Sequence, residues 1–211
     1  MYFHRYPEVW FAVQVEAEVG PIDVFVANAG IPSNGGVDVT DDEWQRIWQV
    51  NVMQTIYVAR HLVPRWIARR HPGHLVVTAS AAGLLTQVGS LPYSVTKHAA
   101  VAAAEWLAIT YAEHGIRVHA ICPQAVRSGM VPESGGGPAG GDGVLEPEKV
   151  AKDLLEAMAT EKFLVLPHPE VGKYFQRKAG DYDRWLKGMQ RMHQSFGKFV
   201  MTQPNLSNAK L

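Results

Sequence analysis

The hydrophobic and polar positions divide the chain into short apolar runs and longer amphipathic stretches. Short runs rich in apolar residues occupy residues 22–26, 74–79, 117–122 and 163–166, and the run at 22–26 has Val, Ile and Phe without regular polar alternation. Such runs are typical of parallel strands covered on both faces. The stretches between them place apolar residues at helical spacing. This order predicts an α/β fold built on a doubly wound parallel sheet.

The predicted helices have recognisable ends. A first helix is expected at residues 8–19, ended by Gly20 and Pro21. A capping box at Thr40–Glu43 begins a second, which runs to about Arg70. Further helices are expected at 92–114, at 147–160 and, as one or two helices, at 170–199.

Composition narrows the class of protein. A chain of 211 residues with 47% hydrophobic content predicts one domain with a sizeable core. Its formal net charge of zero gives no reason to expect a nucleic-acid or acidic-membrane partner, and no apolar run reaches membrane-spanning length. The single cysteine, Cys122, excludes an internal disulfide and favours the reducing cytoplasm. The scattered histidines predict no metal site.

The stretch from Ser80 to Lys97 carries the strongest chemical signal. Ser80 follows an apolar strand, and ligands of open α/β sheets bind at the C-terminal ends of strands. Tyr93 and Lys97 are four residues apart, so they share one face of a helix. A nearby ammonium lowers the pKa of a phenol, and a tyrosine tuned in this way can exchange a proton with a substrate oxygen. A serine hydroxyl can hydrogen-bond that same oxygen.

Two features, a second Tyr-x-x-x-Lys pair and an asparagine within a helix, can also be explained without a functional role. Tyr174 and Lys178 repeat the Tyr-x-x-x-Lys spacing, but Glu161 rather than a serine stands thirteen residues before Tyr174. The first pair is therefore favoured as the functional one. Asn51 lies within the apolar stripe of the second helix, where a buried amide must be hydrogen-bonded. The residues alone leave open whether it is structural or part of a polar site.

Together these motifs resemble the short-chain dehydrogenase/reductase family. The resemblance implies a Rossmann-like fold, an NAD or NADP cofactor whose choice stays undetermined, and an alcohol/carbonyl substrate. In sequence order, from Ile22 to about Ser128, the matching pieces are Asn28-Ala29-Gly30, Asn51, Ser80, Tyr93-x-x-x-Lys97 and ICPQAVRS at 121–128.

The resemblance also implies roles at the reacting centre. Tyr93 is expected to be the general acid/base. Lys97 is expected to lower the pKa of Tyr93 and to hold the cofactor ribose. Ser80 is expected to polarise the substrate oxygen, and Asn51 to hold a water in the proton relay behind the lysine.

Cofactor contacts are implied for a second group of residues. Asn28 is expected to steady the central sheet, while Ala29 and Gly30 let the chain pass close to the nucleotide. The backbone of Val126 is expected to meet the nicotinamide carboxamide. Where the family usually has glycine and threonine, this chain has Gln124 and Ser128.

The first half of the family's fold has no counterpart in the sequence. Two strands, their helices and the glycine-rich turn that holds the pyrophosphate should precede Ile22. At about 30 residues for each βαβ unit, about 60 residues are lacking. We therefore interpret residues 1–211 as a single partial domain whose strand at 22–26 is an unprotected sheet edge. A misassigned start codon and a deletion product both account for this.

Two further segments complete the prediction. Residues 131–145 are rich in glycine and are expected to form a flexible substrate loop or lid. Residues 168–211 are expected to form a C-terminal helical segment over the substrate side. Its aromatic and basic residues are interpreted as packing and solvated faces: Tyr174, Arg177, Arg184, Trp185 and Arg191.

Three functions follow from these observations. The first is an NAD(P)-dependent oxidoreductase that interconverts an alcohol and a ketone or aldehyde. The alternative is an inactive truncated remnant that binds a full-length relative through the 92–114 helix. That helix is apolar nearly all round, which also favours a homo-oligomer. Cofactor-independent chemistry such as halohydrin dehalogenation is disfavoured, because such relatives carry arginine where this chain has Lys97.

Overall fold

The computed structural model describes residues 7–131 and 137–200. Four parallel strands form one sheet in the order β1-β2-β3-β4. This arrangement confirms the predicted α/β fold and its parallel sheet. The strands are β1 (Val24–Ala27), β2 (His74–Thr78), β3 (Arg117–Ile121) and β4 (Leu164–Val165).

Eight α-helices connect and flank the strands in the described part of the chain. All the helices expected from the sequence are present, and the C-terminal stretch forms two of them. The short α4 was not predicted. The helices are α1 (Pro7–Glu18), α2 (Asp41–Trp48), α3 (Gln54–Arg69), α4 (Ala82–Leu85), α5 (Leu91–Tyr111), α6 (Pro147–Ala159), α7 (Glu170–Gly180) and α8 (Tyr182–Val200).

One predicted helix is interrupted. Between α2 and α3 the backbone forms a π-helical turn over Gln49–Met53, which contains Asn51. The capping box that begins α2 is present, with the Thr40 hydroxyl accepting a hydrogen bond from the Glu43 N–H at 3.4 Å. A π-helical turn inserts an extra residue into the helix and re-aims the side chains after it, and such turns are common at functional sites.

The core lies on both faces of the sheet. Successive side chains of a strand point to opposite faces. Leu75 and Val77 therefore pack into the larger core beneath α1, α3 and α5, whereas Val76 packs into a smaller one with Val165 and Ala157 of α6. The two-sided covering of β2 explains its continuous apolar run.

β1 differs from that expectation. It lies at the edge of the sheet, as predicted, but one of its faces is open in the described part of the chain. Val24 is 44% exposed and Val26 43% exposed, whereas Ala27 is buried. The prediction that this strand is covered on both faces is wrong for the described residues, because α6 packs only on β3 and β4 on that side of the sheet.

The glycine-rich loop expected at 131–145 lies partly outside the described residues, which omit 132–136. Its second half is held in place. The Ala125 N–H donates a hydrogen bond to the Ala139 carbonyl at 3.2 Å, and Leu145 forms a parallel bridge with Val126. The expected C-terminal segment is helical over 170–180 and 182–200, and residues 201–211 lie outside the described part.

Within residues 7–131 and 137–200, no helix has both the length and the hydropathy that a membrane-spanning segment requires.

Candidate active site

Ser80 and Tyr93 line one cavity at the C-terminal edge of the sheet, with a volume of about 2030 Å³. Strand β2 delivers Ser80 to this edge, and the first turn of α5 presents Tyr93. The Ser80 hydroxyl accepts a hydrogen bond from the Ala82 N–H at 3.1 Å and donates a long one to the Pro123 carbonyl at 3.5 Å. Its position is therefore fixed from two sides.

The phenol of Tyr93 is shielded from water. Burial raises the pKa of Tyr93, and hydrogen bonding with the Ser80 hydroxyl offsets part of that increase. The sequence led us to expect a lowered pKa, so this expectation is not met in the structure. Its physical reason is that desolvation disfavours the charged phenolate. At neutral pH the phenol keeps its proton and can donate it.

Lys97 lies beside the Tyr93 ring, with its Nζ 5.6 Å from the ring centroid. It is 3% exposed, and its Nζ donates a hydrogen bond to the Thr78 carbonyl at 2.8 Å. Burial lowers the pKa of Lys97 to about 8, with the nearby Cys122 acting weakly in the opposite direction. The lysine is close enough to neutrality at ordinary pH for its charge to depend on what binds beside it.

This buried charge predicts a pH-dependent stability. Below pH 8 Lys97 is protonated in both states, and its burial destabilises the folded protein. Between pH 8 and its ordinary value of 10.5 the unfolded chain binds more protons, so stability rises with pH. In Lys97→Met this rise should be absent, with a slope difference of about 1 kcal/mol per pH unit.

Urea unfolding of both proteins at intervals from pH 7 to pH 10.5 measures this difference. Burial raises the pKa of Cys122 to about 12, which opposes the rise above pH 9. The Lys97 charge lowers that pKa and is missing in the variant, so the two stability curves are compared below pH 9. Parallel stability curves for the two proteins would contradict the predicted charge state of Lys97.

Asn51 is 2% exposed, and its side chain spans two elements. Its Oδ1 accepts from the Ile31 N–H at 2.9 Å, and its Nδ2 donates to the Ile31 carbonyl at 3.1 Å. Nδ2 also donates to the Thr96 hydroxyl at 3.2 Å. Both amide hydrogens are thus used within the protein. Of the two interpretations that the sequence left open, these contacts support the structural one, and the proton-relay role stays a prediction.

The Asn28-Ala29-Gly30 turn follows β1 and is fixed by neighbouring elements. The Thr78 hydroxyl donates to Asn28 Oδ1 at 3.1 Å, which joins the ends of β1 and β2. The buried Gln54 donates its side-chain N–H to the Ala29 carbonyl. Gly30 lies against the site, because a Cβ placed there would be 3.4 Å from the Lys97 Nζ. The turn therefore borders Lys97, and its expected position beside the cofactor stays a prediction.

The backbone at Val126 is also ordered by pairing. The Leu145 N–H donates to the Ala125 carbonyl at 3.0 Å, and the Arg127 N–H donates to the Leu145 carbonyl at 2.9 Å. Because adjacent residues of an extended chain direct their backbone groups to opposite sides, the N–H of Val126 points away from Leu145. Its contact with a cofactor carboxamide stays a prediction.

The second Tyr-x-x-x-Lys pair has a positioning role that the sequence did not reveal. The Tyr174 hydroxyl donates to Asp142 Oδ1 at 3.0 Å, and Asp142 Oδ2 accepts from the Gln124 side chain at 2.9 Å. The Lys178 Nζ donates to the Leu84 carbonyl at 2.7 Å. Helix α7 is thereby tied to α4 through Lys178 and to the loop that contains Asp142 through Tyr174. Spacing alone could not distinguish this role from a catalytic one.

We expect Lys178→Met to lower the free energy of unfolding by about 2 kcal/mol, because a hydrogen bond to a charged donor is lost and the Leu84 carbonyl keeps no equivalent partner. Lys173→Met, on the same helix at an exposed position, is the matched control and should change stability by less than about 0.5 kcal/mol. Urea unfolding measures both. Equal stability of the two variants would show that the Lys178 contact does not hold α7 in place.

The fold and the site define a class of protein: a Rossmann-like α/β protein with Ser80, Tyr93 and Lys97 at the C-terminal edge of a parallel sheet. Residues 10–137, more than half of the chain, match the profile of the family described as short chain dehydrogenase. The chain belongs to the short-chain dehydrogenase family.

Individual relatives agree with this assignment. A 1-deoxy-11-beta-hydroxypentalenate dehydrogenase of Streptomyces exfoliatus is 32% identical over 161 residues, covering 72% of this chain and 57% of the relative. An uncharacterized NAD-dependent oxidoreductase of Mycobacterium tuberculosis (strain ATCC 25618 / H37Rv) is 39% identical over 115 residues, covering 54% of this chain and 42% of the relative. The chain thus spans about half the length of these relatives.

A solved structure supports the fold. The short chain dehydrogenase/reductase of Burkholderia phymatum in complex with NAD superposes with a TM-score of 0.75. The match covers 83% of this chain and 72% of that chain at 24% sequence identity. At this identity the likeness concerns the arrangement of strands and helices.

Proposed function

We propose that this chain belongs to an NAD(P)-dependent oxidoreductase that interconverts an alcohol and a ketone or aldehyde. The observation that carries the proposal is the placement of the Ser80 hydroxyl and the Tyr93 phenol in one cavity, with the Lys97 ammonium against the tyrosine ring. The names of the two curated relatives, a dehydrogenase of a hydroxypentalenate and an NAD-dependent oxidoreductase, fit this chemistry.

Ser80 and Tyr93 have different roles in the proposed reaction. Ser80 donates a hydrogen bond to the substrate oxygen and holds it at Tyr93. In the reductive direction Tyr93 donates its proton to that oxygen, and in the oxidative direction it accepts the proton of the alcohol. Because burial raises the pKa of Tyr93, the phenol is protonated at neutral pH, which is the form that the reductive direction requires. The nicotinamide, when bound, supplies or accepts the hydride.

The surroundings of Lys97 fit a bound ribose. An ammonium has three N–H donors, and the Thr78 carbonyl takes one of them. The absence of a side chain at Gly30 leaves space directly over the Lys97 Nζ. Ribose hydroxyls placed there would accept the remaining hydrogens and stabilise the protonated lysine. The proposed cofactor is NAD or NADP, and binding measurements identify which of the two is preferred.

Calorimetric titration of the purified 211-residue chain with NADH and with NADPH tests this function. Micromolar affinity for either is expected, and the tighter ligand names the preferred cofactor. If a folded sample binds neither, the oxidoreductase proposal fails for this chain and the non-catalytic alternative takes its place. Circular dichroism of the same sample establishes that it is folded.

The proposed partners are a small alcohol or carbonyl compound and a second copy of the chain. One side of α5 is buried through Ala100, but the other carries Val95, Trp106 and Ile109, which are 40%, 59% and 80% exposed. Such a face is suited to pairing with a second copy. Light scattering during size-exclusion chromatography measures the oligomeric state.

The buried free thiol of Cys122 suits the proposed cytoplasmic location.

A further inference from the structure

Helix α8 turns its apolar stripe toward the cavity. Trp185, Met189, Met192 and Phe196 recur at intervals of three and four residues, and all four line the cavity that contains Ser80 and Tyr93. Within a protein such a stripe normally packs against other side chains. Here Met192 is 37% exposed, so the stripe forms an apolar wall with room for a ligand beside it.

Three guanidinium groups border the same wall. Arg177 of α7 and Arg184 and Arg191 of α8 line the cavity and are exposed. Arg184 and Arg191 are seven residues apart, which places them on one side of the helix, about 10 Å from each other along its axis. The sequence interpretation of these arginines as solvated faces was incomplete, because it could not show which surface α8 would face.

The two acidic residues of the cavity lining, Asp142 and Asp181, bond to groups other than the arginine side chains. Asp142 accepts hydrogen bonds from Gln124 and Tyr174, and Asp181 Oδ1 accepts one from the backbone N–H of Arg184. Among the described residues, no ion pair involves Arg177, Arg184 or Arg191. The cavity lining therefore holds three arginines against two aspartates, and Arg184 and Arg191 have no ion-pair partner among the described residues beside the apolar surface.

We propose that the substrate carries a carboxylate on a bulky apolar body. The carboxylate pairs with Arg184 and Arg191, whose planar donors match its two oxygens. The apolar body covers the α8 stripe, and the alcohol or carbonyl group reaches Ser80 and Tyr93. This inference rests on the proposed function for the reacting group, but the binding of the anion to α8 does not depend on catalysis.

Calorimetry with cholate and with its methyl ester tests the proposal, since both have a bulky hydroxylated body and only cholate is anionic. Cholate, kept below its micelle concentration, is expected to bind about tenfold more tightly than the ester. The double variant Arg184→Gln/Arg191→Gln should lose that tenfold preference and keep its affinity for the ester. Lys187→Gln removes a positive charge from α8 outside the cavity lining and should bind cholate like the unmodified chain.

Four results would overturn the proposal: no cholate binding by folded chain, equal affinity for cholate and ester, an unchanged preference in the double variant, or 3-hydroxybutyrate binding as tightly as cholate. Inorganic phosphate at matched ionic strength should not compete with cholate. Competition by phosphate would assign the arginines to a phosphate-bearing ligand instead.

The outcome is separable from that of the proposed function. Cholate binding without NADH or NADPH binding would support the anion site and contradict the oxidoreductase proposal. Nucleotide binding without cholate binding would do the reverse.

Discussion

Replacing Tyr93 with phenylalanine is expected to lower kcat/KM for the proposed alcohol–carbonyl reaction by about 10²–10⁴-fold, the usual contribution of a positioned general acid or base. The substitution removes only the hydroxyl that is proposed to exchange the proton, and the ring can keep its place beside the Lys97 Nζ. Substrate binding should change much less, because the Ser80 hydroxyl and the cavity wall remain. The measurement is steady-state kinetics by nicotinamide absorbance, with folding checked by circular dichroism.

Tyr111→Phe is the matched control for this variant. Tyr111 lies on the same helix, α5, but at its C-terminal end, where its ring meets Trp106 at a centroid distance of 6.0 Å. Its substitution should leave turnover within about twofold. Equal turnover of Tyr93→Phe and the unmodified protein would remove Tyr93 from the catalytic role.

The pH dependence of turnover is a second test of the proposed role of Tyr93. Because burial raises the pKa of Tyr93, the phenol is the dominant form at neutral pH. The rate of alcohol oxidation, which needs a proton acceptor, should therefore rise with pH through the neutral range, while carbonyl reduction should not. This asymmetry distinguishes proton transfer by Tyr93 from a purely structural effect of losing its hydroxyl.

Local patterns predicted the parts of the structure that local physics determines. The segments at 74–79 and 117–122 form neighbouring strands, and the continuous apolar residues Leu75–Val77 suit a strand covered on both faces. The thirteen- and four-residue spacings joined Ser80, Tyr93 and Lys97 because a strand end and a helix face have fixed geometry. The edge position of β1 was predicted from the resemblance, because the strands that precede this one in the family have no counterpart in the sequence.

Properties that depend on the packing of distant elements could not be predicted in this way. The pKa of Tyr93 depends on how completely its surroundings exclude water, which no spacing reports. Lys178 looked like a chance repeat of a motif, yet it is buried because α7 packs against α4. The position of the α8 arginines at the cavity depends on how α8 packs against the rest of the protein, which the sequence pattern does not show.

The close approach of α4 and α5 leads to the second large effect. A Cβ added at Gly83 would lie 2.4 Å from the Lys97 carbonyl oxygen and 2.8 Å from its carbonyl carbon. Both are backbone atoms in the middle of a long helix, so neither can move aside by a change of rotamer. Gly83→Ala is therefore expected to lower the free energy of unfolding by about 3 kcal/mol, the upper end for an overpacked core.

Helix propensity makes the opposite prediction, which sharpens the test. Alanine favours a helix over glycine by about 1 kcal/mol, and Gly83 lies within α4. Gly180→Ala, at the end of α7 with nothing within 4 Å of the added Cβ, measures the effect without the clash and should be neutral or stabilising. Urea unfolding of the two variants compares packing with propensity directly. A Gly83→Ala protein as stable as Gly180→Ala would mean that α4 and α5 are further apart than the structure shows.

We expect Gly83→Ala to change the geometry of the candidate active site as well. The Gly83 N–H donates to the Ser80 carbonyl at 2.9 Å, so a shift of α4 away from Lys97 moves the serine relative to the tyrosine and the lysine. If Gly83→Ala folds at low temperature, its kcat should fall more than its affinity for nucleotide, because Ser80 is proposed to act on the substrate oxygen. A loss of nucleotide affinity with unchanged kcat would place the displacement at Lys97 instead. Gly83 thus sets the distance on which the serine–tyrosine geometry depends.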